Sequence, residues 1–172
     1  MDREETIYKL TSDRRTTRGC MLWGINVSHA ATGRGSPVLC SDTVIHAYRT
    51  PEIAVFCNAI HADYHRPLLW EARGIVVCDD GLKLGCKSLM TLKRIELPHI
   101  SNHRCTEIGI LMRDPGFAFM SDRELQETTS AHAYQAKWNV WQLSQIVALQ
   151  GEDALAFSER LQALLVADDG GS

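Results

Sequence analysis

LLWEARGIVVCDDGLKLGCKSLMTLKRIEL (residues 68–97) reads as a β-meander. Trp70, Ala72, Gly74, Val76 and Cys78 take one side of a period-two pattern, and Glu71, Arg73, Ile75 and Val77 take the other. CDDGL is a turn signal between two strand-like runs, with Gly81 free to adopt positive φ. LKLGC then returns alongside the first run. LKRIEL supplies a further strand, which Pro98 ends. Trp70 is expected to be largely buried, and the alternation leaves Glu71 and Arg73 on the opposite face.

Toward the N-terminus, TIYKL predicts an opening strand, with Thr6, Tyr8 and Leu10 facing one way and Ile7 and Lys9 the other. CMLWGINV is a second apolar run. HAATGRGSP (29–37) reads as a loop closed by proline. TPEIAVFCNAI carries the signals of an inserted helix: Thr50 to cap, Pro51 at the first helical position and Glu52 at the positive end of the dipole. Ile53, Phe56, Cys57 and Ile60 then line the inward face.

Beyond Pro98 the pattern turns helical. A short helix is expected over Thr106–Arg113. Ser121 and Glu124 form a capping-box pair at the start of a long helix reaching about Gln150, with Tyr134, Trp138, Trp141 and Gln145 approaching one face. EDALAFSERLQALLVA is a last amphipathic helix, and DDGGS reads as a frayed tail. The expected fold class is α+β: a small, mostly antiparallel sheet in the N-terminal half with one inserted helix, and a helical C-terminal half packed on it. We read residues 1–172 as a single domain, with a strand-rich half (1–98), a helical half (99–168) and a tail (169–172).

The bulk properties exclude several classes. A chain of 172 residues can bury a core without staples, and 45% hydrophobic with 23% charged residues is a globular composition. The net charge of −3 gives no general nucleic-acid surface, although Arg14, Arg15 and Arg18 cluster locally. No run of membrane-spanning length occurs, and the charged opening MDREETIYKL lacks the apolar stretch of a signal peptide. The six cysteines form no CxxC pair and are expected to be reduced, mostly as core residues.

The densest chemistry lies in CSDTVIHAYRTPEIAVFCNAIHADYH (40–65). Cys57, His61 and His65 follow one another at intervals of four and are the ligands if a metal is held. However, the tight ligand pairs of structural zinc and the glutamate of zinc proteases are missing, so structural histidines and no metal or other cofactor are expected. His99, His103 and Cys105 form a second, looser cluster. Cys40, following the glycine loop and close to His46, is the better nucleophile candidate, because burial on the apolar face would make Cys57 inert. ATGRGS lacks the ending of a phosphate loop. On the long helix, Trp138 and Trp141 with Lys137 and Gln142 beside them are candidate binding residues, large aromatics within a polar rim.

Taken together, YKLT (8–11), Cys40-Ser41, His46–Tyr48, Ala54–Phe56, His61, LWEA (69–72), Gly74 and GCKSL (85–89) resemble a family of small phage and prophage proteins of unknown function. The resemblance covers roughly residues 6–98. It implies a protein of the host bacterial cytoplasm that inhibits or redirects a host machine, in the manner of an anti-defence or anti-CRISPR inhibitor. Its partner would be a host protein or a protein–nucleic-acid complex, or a second copy of the chain; neither membrane association nor direct nucleic-acid binding is expected. The order of these segments also loosely resembles small ADP-ribosyltransferase folds. That likeness implies an NAD-dependent alternative in which Lys9 falls near the first-strand cation, Tyr48 near the stacking aromatic and Glu71 near the late-strand acid.

Overall fold

A computed structural model describes residues 4–17, 19–113, 129–146 and 152–167. The strands are β1 (Glu4–Thr11), β2 (Val27–Ala30), β3 (Ile45–Ala47), β4 (Leu68–Asp79) and β5 (Leu84–Ile95). The helices are α1 (Pro51–His61), α2 (Asn102–Arg113), α3 (Ser130–Ile146) and α4 (Glu152–Val166). All strand pairings are antiparallel, in the order β1-β4-β5-β2, with β3 also on β5. The protein is α+β, with an N-terminal antiparallel sheet and a helical C-terminal region packed against it. No described helix is long and apolar enough to cross a membrane.

LKLGC and LKRIEL belong to one continuous strand, β5, not to two. It turns back from β4 through Asp79–Lys83, where Gly81 has φ +84° and Asp80 Oδ1 accepts from the backbone N–H groups of Leu82 and Lys83. Because β5 is long, two short strands share its outer edge: β2 pairs with Ser88–Thr91 and β3 with Leu84–Cys86. Just past β3, Tyr48 pairs with Tyr8 of β1 through two backbone bonds of 2.8 Å. The sheet therefore curls until its two sides meet. Register shifts in β4–β5 near Ala72 and Val76 supply the local twist that such curling needs.

The curl creates two cores. Inside it lie Ile7, Trp23, Ile45, Ala47, Ala72, Leu84, Cys86 and Leu89. Outside, Leu10, Tyr48 and Leu69 pack against Phe56 of α1, Ile108 of α2, Val140 of α3 and Leu161 of α4. The CMLWGINV run enters a strand only at its last residue, Val27, and β2 continues into His29 and Ala30 of the expected loop; the earlier part of the run delivers Trp23, 1% exposed, into the inner core.

Thr50 caps α1, accepting the Ile53 N–H at 3.2 Å, and Pro51 begins the helix. Ile53, Phe56 and Cys57 are fully buried and Ile60 is partly so. α2 starts at Asn102, four residues earlier than its apolar pattern indicated. Ser121 and Glu124, and the end of the long helix near Gln150, lie outside the described residues, and α3 starts at Ser130.

The buried face of α3 also differs from expectation. It consists of Ala133, Ala136, Val140 and Ser144, whereas Tyr134 is 50% exposed and Trp138 and Trp141 flank the buried face, stacked at 4.7 Å. Small residues win this face because α2 comes very close: a Cβ on Gly109 would stand 2.5 Å from the Cβ of Ala136. Lys137 is half-buried, its ammonium 5.6 Å from the Phe56 ring centre. Lys137→Glu should therefore lose a cation–π contact and cost about 1 kcal/mol in urea melts; an unchanged midpoint would show that the contact contributes nothing.

Candidate functional site

β1 alternates so that Lys9 points with Ile7 into the curl, where a lysine has little water. Lys9 is 6% exposed; its ammonium donates to the His46 carbonyl at 2.5 Å and lies 5.4 Å from the Trp23 ring centre. Desolvation lowers its pKa to about 8, partly opposed by neighbouring Cys86, so it is still a cation at neutral pH. Lys83, in the β4–β5 turn, is 5% exposed and donates to Cys40 Sγ at 2.9 Å. Among the described residues neither lysine has a carboxylate within salt-bridge distance.

Both lysines line one cleft of about 380 Å³. Its other walls are the 31–44 loop, His46 of β3, Tyr48, and His61, Ala62 and Tyr64 at the end of α1. Cys40 sits on the loop at φ +64°, and its backbone N–H donates to His46 Nε2 at 2.9 Å. That bond makes Nε2 an acceptor and assigns the His46 proton to Nδ1 when the ring is neutral. His46 thus fixes the Cys40 backbone, and the group beside the thiol is Lys83.

His61 stacks on Tyr48 with 6.1 Å between ring centres and 13° between planes. Both its ring nitrogens are buried without a hydrogen-bond partner among the described residues. Desolvation first, then Lys83 and His46, lowers its pKa to about 3, so the ring is neutral. Burial likewise pushes the Tyr48 hydroxyl well above its ordinary value. The cleft offers two fixed cations, a neutral imidazole with unused polar atoms, and the thiol of Cys40. Among the described residues the one carboxylate in its wall is that of exposed Asp42.

Of the residues singled out in the sequence, Lys9, Cys40, His46, Tyr48 and His61 meet in this cleft. Glu71 does not. It pairs with Tyr8 while Lys9 pairs with Trp70, which places Glu71 on the opposite sheet face, 3.1 Å from Lys93. Cys57 is buried in the outer core, where desolvation raises its thiol pKa far above the ordinary value, and His65 is exposed. The three therefore form no site, and no group of three or more His, Cys, Asp or Glu converges for a metal among the described residues. Gln142 is exposed, whereas Lys137, Trp138 and Trp141 are half-buried. Lys83 was not singled out in the sequence: a lysine beside DDGL reads as a solvated turn residue. No family model, curated protein or solved structure matches the chain.

Proposed function

We propose that the protein is a binding protein for a small phosphate-bearing molecule of about mononucleotide size, held in this cleft by Lys9 and Lys83. The observation that carries this reading is the pair of lysines, 6% and 5% exposed, that lack carboxylate partners among the described residues and line the same opening. A buried ammonium is costly unless a negative group offsets it. A phosphate suits two separately mounted point charges, and the cleft volume falls within the range of small-molecule sites. The unused nitrogens of His61 add donor and acceptor capacity beside Tyr48. In the phage setting implied by the sequence motifs, the corresponding role is to withhold a nucleotide signal from a host machine.

The free protein bears the cost. Between about 8 and 10.5 the unfolded chain holds the Lys9 proton more tightly than the folded one, so stability rises with pH across that window. Lys9→Met should remove this rise and stabilise the protein at pH 7 by roughly 1–3 kcal/mol. Calorimetric titration with AMP at pH 7 should give saturable binding that weakens toward pH 9 as Lys9 loses its charge. Lys9→Met and Lys83→Met should each weaken binding about tenfold or more, about 1.4 kcal/mol. The proposal fails if AMP, NAD and inorganic phosphate all show no saturable binding, or if both folded variants bind as the wild type does.

Lys9 and Tyr48 share the cleft, which favours NAD as a second ligand to test. The transferase reading additionally needs the late-strand acid there, and Glu71 faces away, while Asp42, the carboxylate in the cleft wall, lies on the 31–44 loop. NAD is therefore expected to survive incubation intact; release of nicotinamide that is lost in Lys9→Met would favour the enzyme.

A further inference from the structure

We propose that Cys40 and Lys83 form a sulfur–nitrogen crosslink when the protein meets a hydroperoxide. The two side chains are already in contact, Lys83 Nζ to Cys40 Sγ at 2.9 Å. Their accessibility is opposite: Cys40 is exposed and Lys83 is 5% exposed, so an oxidant arriving from water reaches the sulfur with the amine held behind it. Both partners are fixed through their backbones. The Cys40 N–H is tied to His46 at 2.9 Å, and the Lys83 N–H to Asp80 at 2.6 Å. Cys57, Cys86 and Cys105 are buried, and exposed Cys20 has no hydrogen-bonded amine among the described residues.

The chemistry balances. The Cys40 sulfur attacks one peroxide oxygen, the O–O bond breaks, the alcohol leaves (water, for hydrogen peroxide), and a sulfenic acid remains. Lys83, having given one proton to water, attacks that sulfur as the free amine. The S–O bond breaks, and the departing hydroxide takes the proton shed by nitrogen and leaves as water. In sum, a thiol, an ammonium and a hydroperoxide become a sulfenamide, an alcohol, water and a proton; sulfur is oxidised and the peroxide reduced. Sulfenic acids are known to condense with nitrogen in this way. A small thiol reverses the step by attacking the sulfur and releasing the amine. The product ties the 31–44 loop to the β4–β5 turn and removes the Lys83 charge from the cleft.

The test is peptide mapping of the whole chain after brief treatment with hydrogen peroxide and alkylation of the remaining thiols. It reads the bond itself and does not depend on the anion-binding proposal. The expected product joins the Cys40 and Lys83 peptides at a mass two hydrogens below their sum, and dithiothreitol restores both peptides. In Lys83→Met the joined species should fall at least tenfold, with Cys40 passing on to sulfinic acid. If wild-type Cys40 instead ends as sulfinic acid or in a disulfide while Lys83 stays unmodified, the proposal is overturned. The wild-type map decides this even if the variant does not fold.

Discussion

His61→Phe should make the protein markedly more resistant to acid. The folded protein keeps His61 neutral down to about pH 3, because burial disfavours the charged ring, Lys83 and His46 lie nearby, and its nitrogens have no hydrogen-bond partner among the described residues. The unfolded chain takes that proton near pH 6.5. Between these limits the unfolded state binds more protons, so stability falls as the pH falls, by about 3 kcal/mol at pH 4 from this group alone. Phenylalanine can stack on Tyr48 as the imidazole does and has nothing to protonate. Urea melts from pH 7 to pH 4 should show the wild-type and variant curves diverging as acid is added, the variant being the flatter. Carboxylates and the other histidines act on both proteins and cancel in the difference. Parallel curves would mean that folded His61 accepts its proton readily.

Trp23→Ala should cost about 3–5 kcal/mol, the range for truncating a large buried aromatic. Trp23 is 1% exposed; its indole N–H donates to Thr17 at 3.1 Å, and its ring meets His29 edge-on at 4.6 Å. Its loss would open the inner core and leave Lys9 without the aromatic face beneath its ammonium. AMP binding should therefore weaken along with stability. A loss below about 1 kcal/mol in denaturant melts would show that the segment before β2 is only loosely docked.

The local chemistry of the fold was readable where backbone rules are strict. Thr50-Pro51-Glu52 announces the start of α1, Asp79-Asp80-Gly81 announces the hairpin, and alternation in β1 puts Lys9 on the face of Ile7. The closure between Tyr8 and Tyr48 was not readable, because pairing between distant strands leaves no periodic mark in either. Lys9 consequently looked like a charge on a strand when it is a charge inside a curled sheet. On α3 the large aromatics dominated the pattern, although the tight approach of Gly109 reserves the buried face for alanine, valine and serine. The candidate site was half visible: Cys40 and His46 stood out as neighbours in sequence, whereas Lys83 becomes their neighbour only through the turn from β4 to β5.

The contact between Tyr8 and Tyr48 also sets an order of events during synthesis. β1 is translated before every element it pairs with, and its main partner, Leu68–Ile75, follows only after the loop, β3 and α1 have been made. Until then Leu10 has only α1 to cover it, and Ile7 lacks the β4 and β5 residues, Ala72, Leu84, Cys86 and Leu89, that enclose it in the inner core. The curl can close only when the β4–β5 hairpin, whose strands adjoin in sequence, has presented an edge for β1. Hairpin first and β1 last is the sequence with the smallest loop-closure cost at each stage. A ribosome stalled before β4 would hold an unpaired apolar strand, the kind of segment that chaperones bind and neighbouring nascent chains capture.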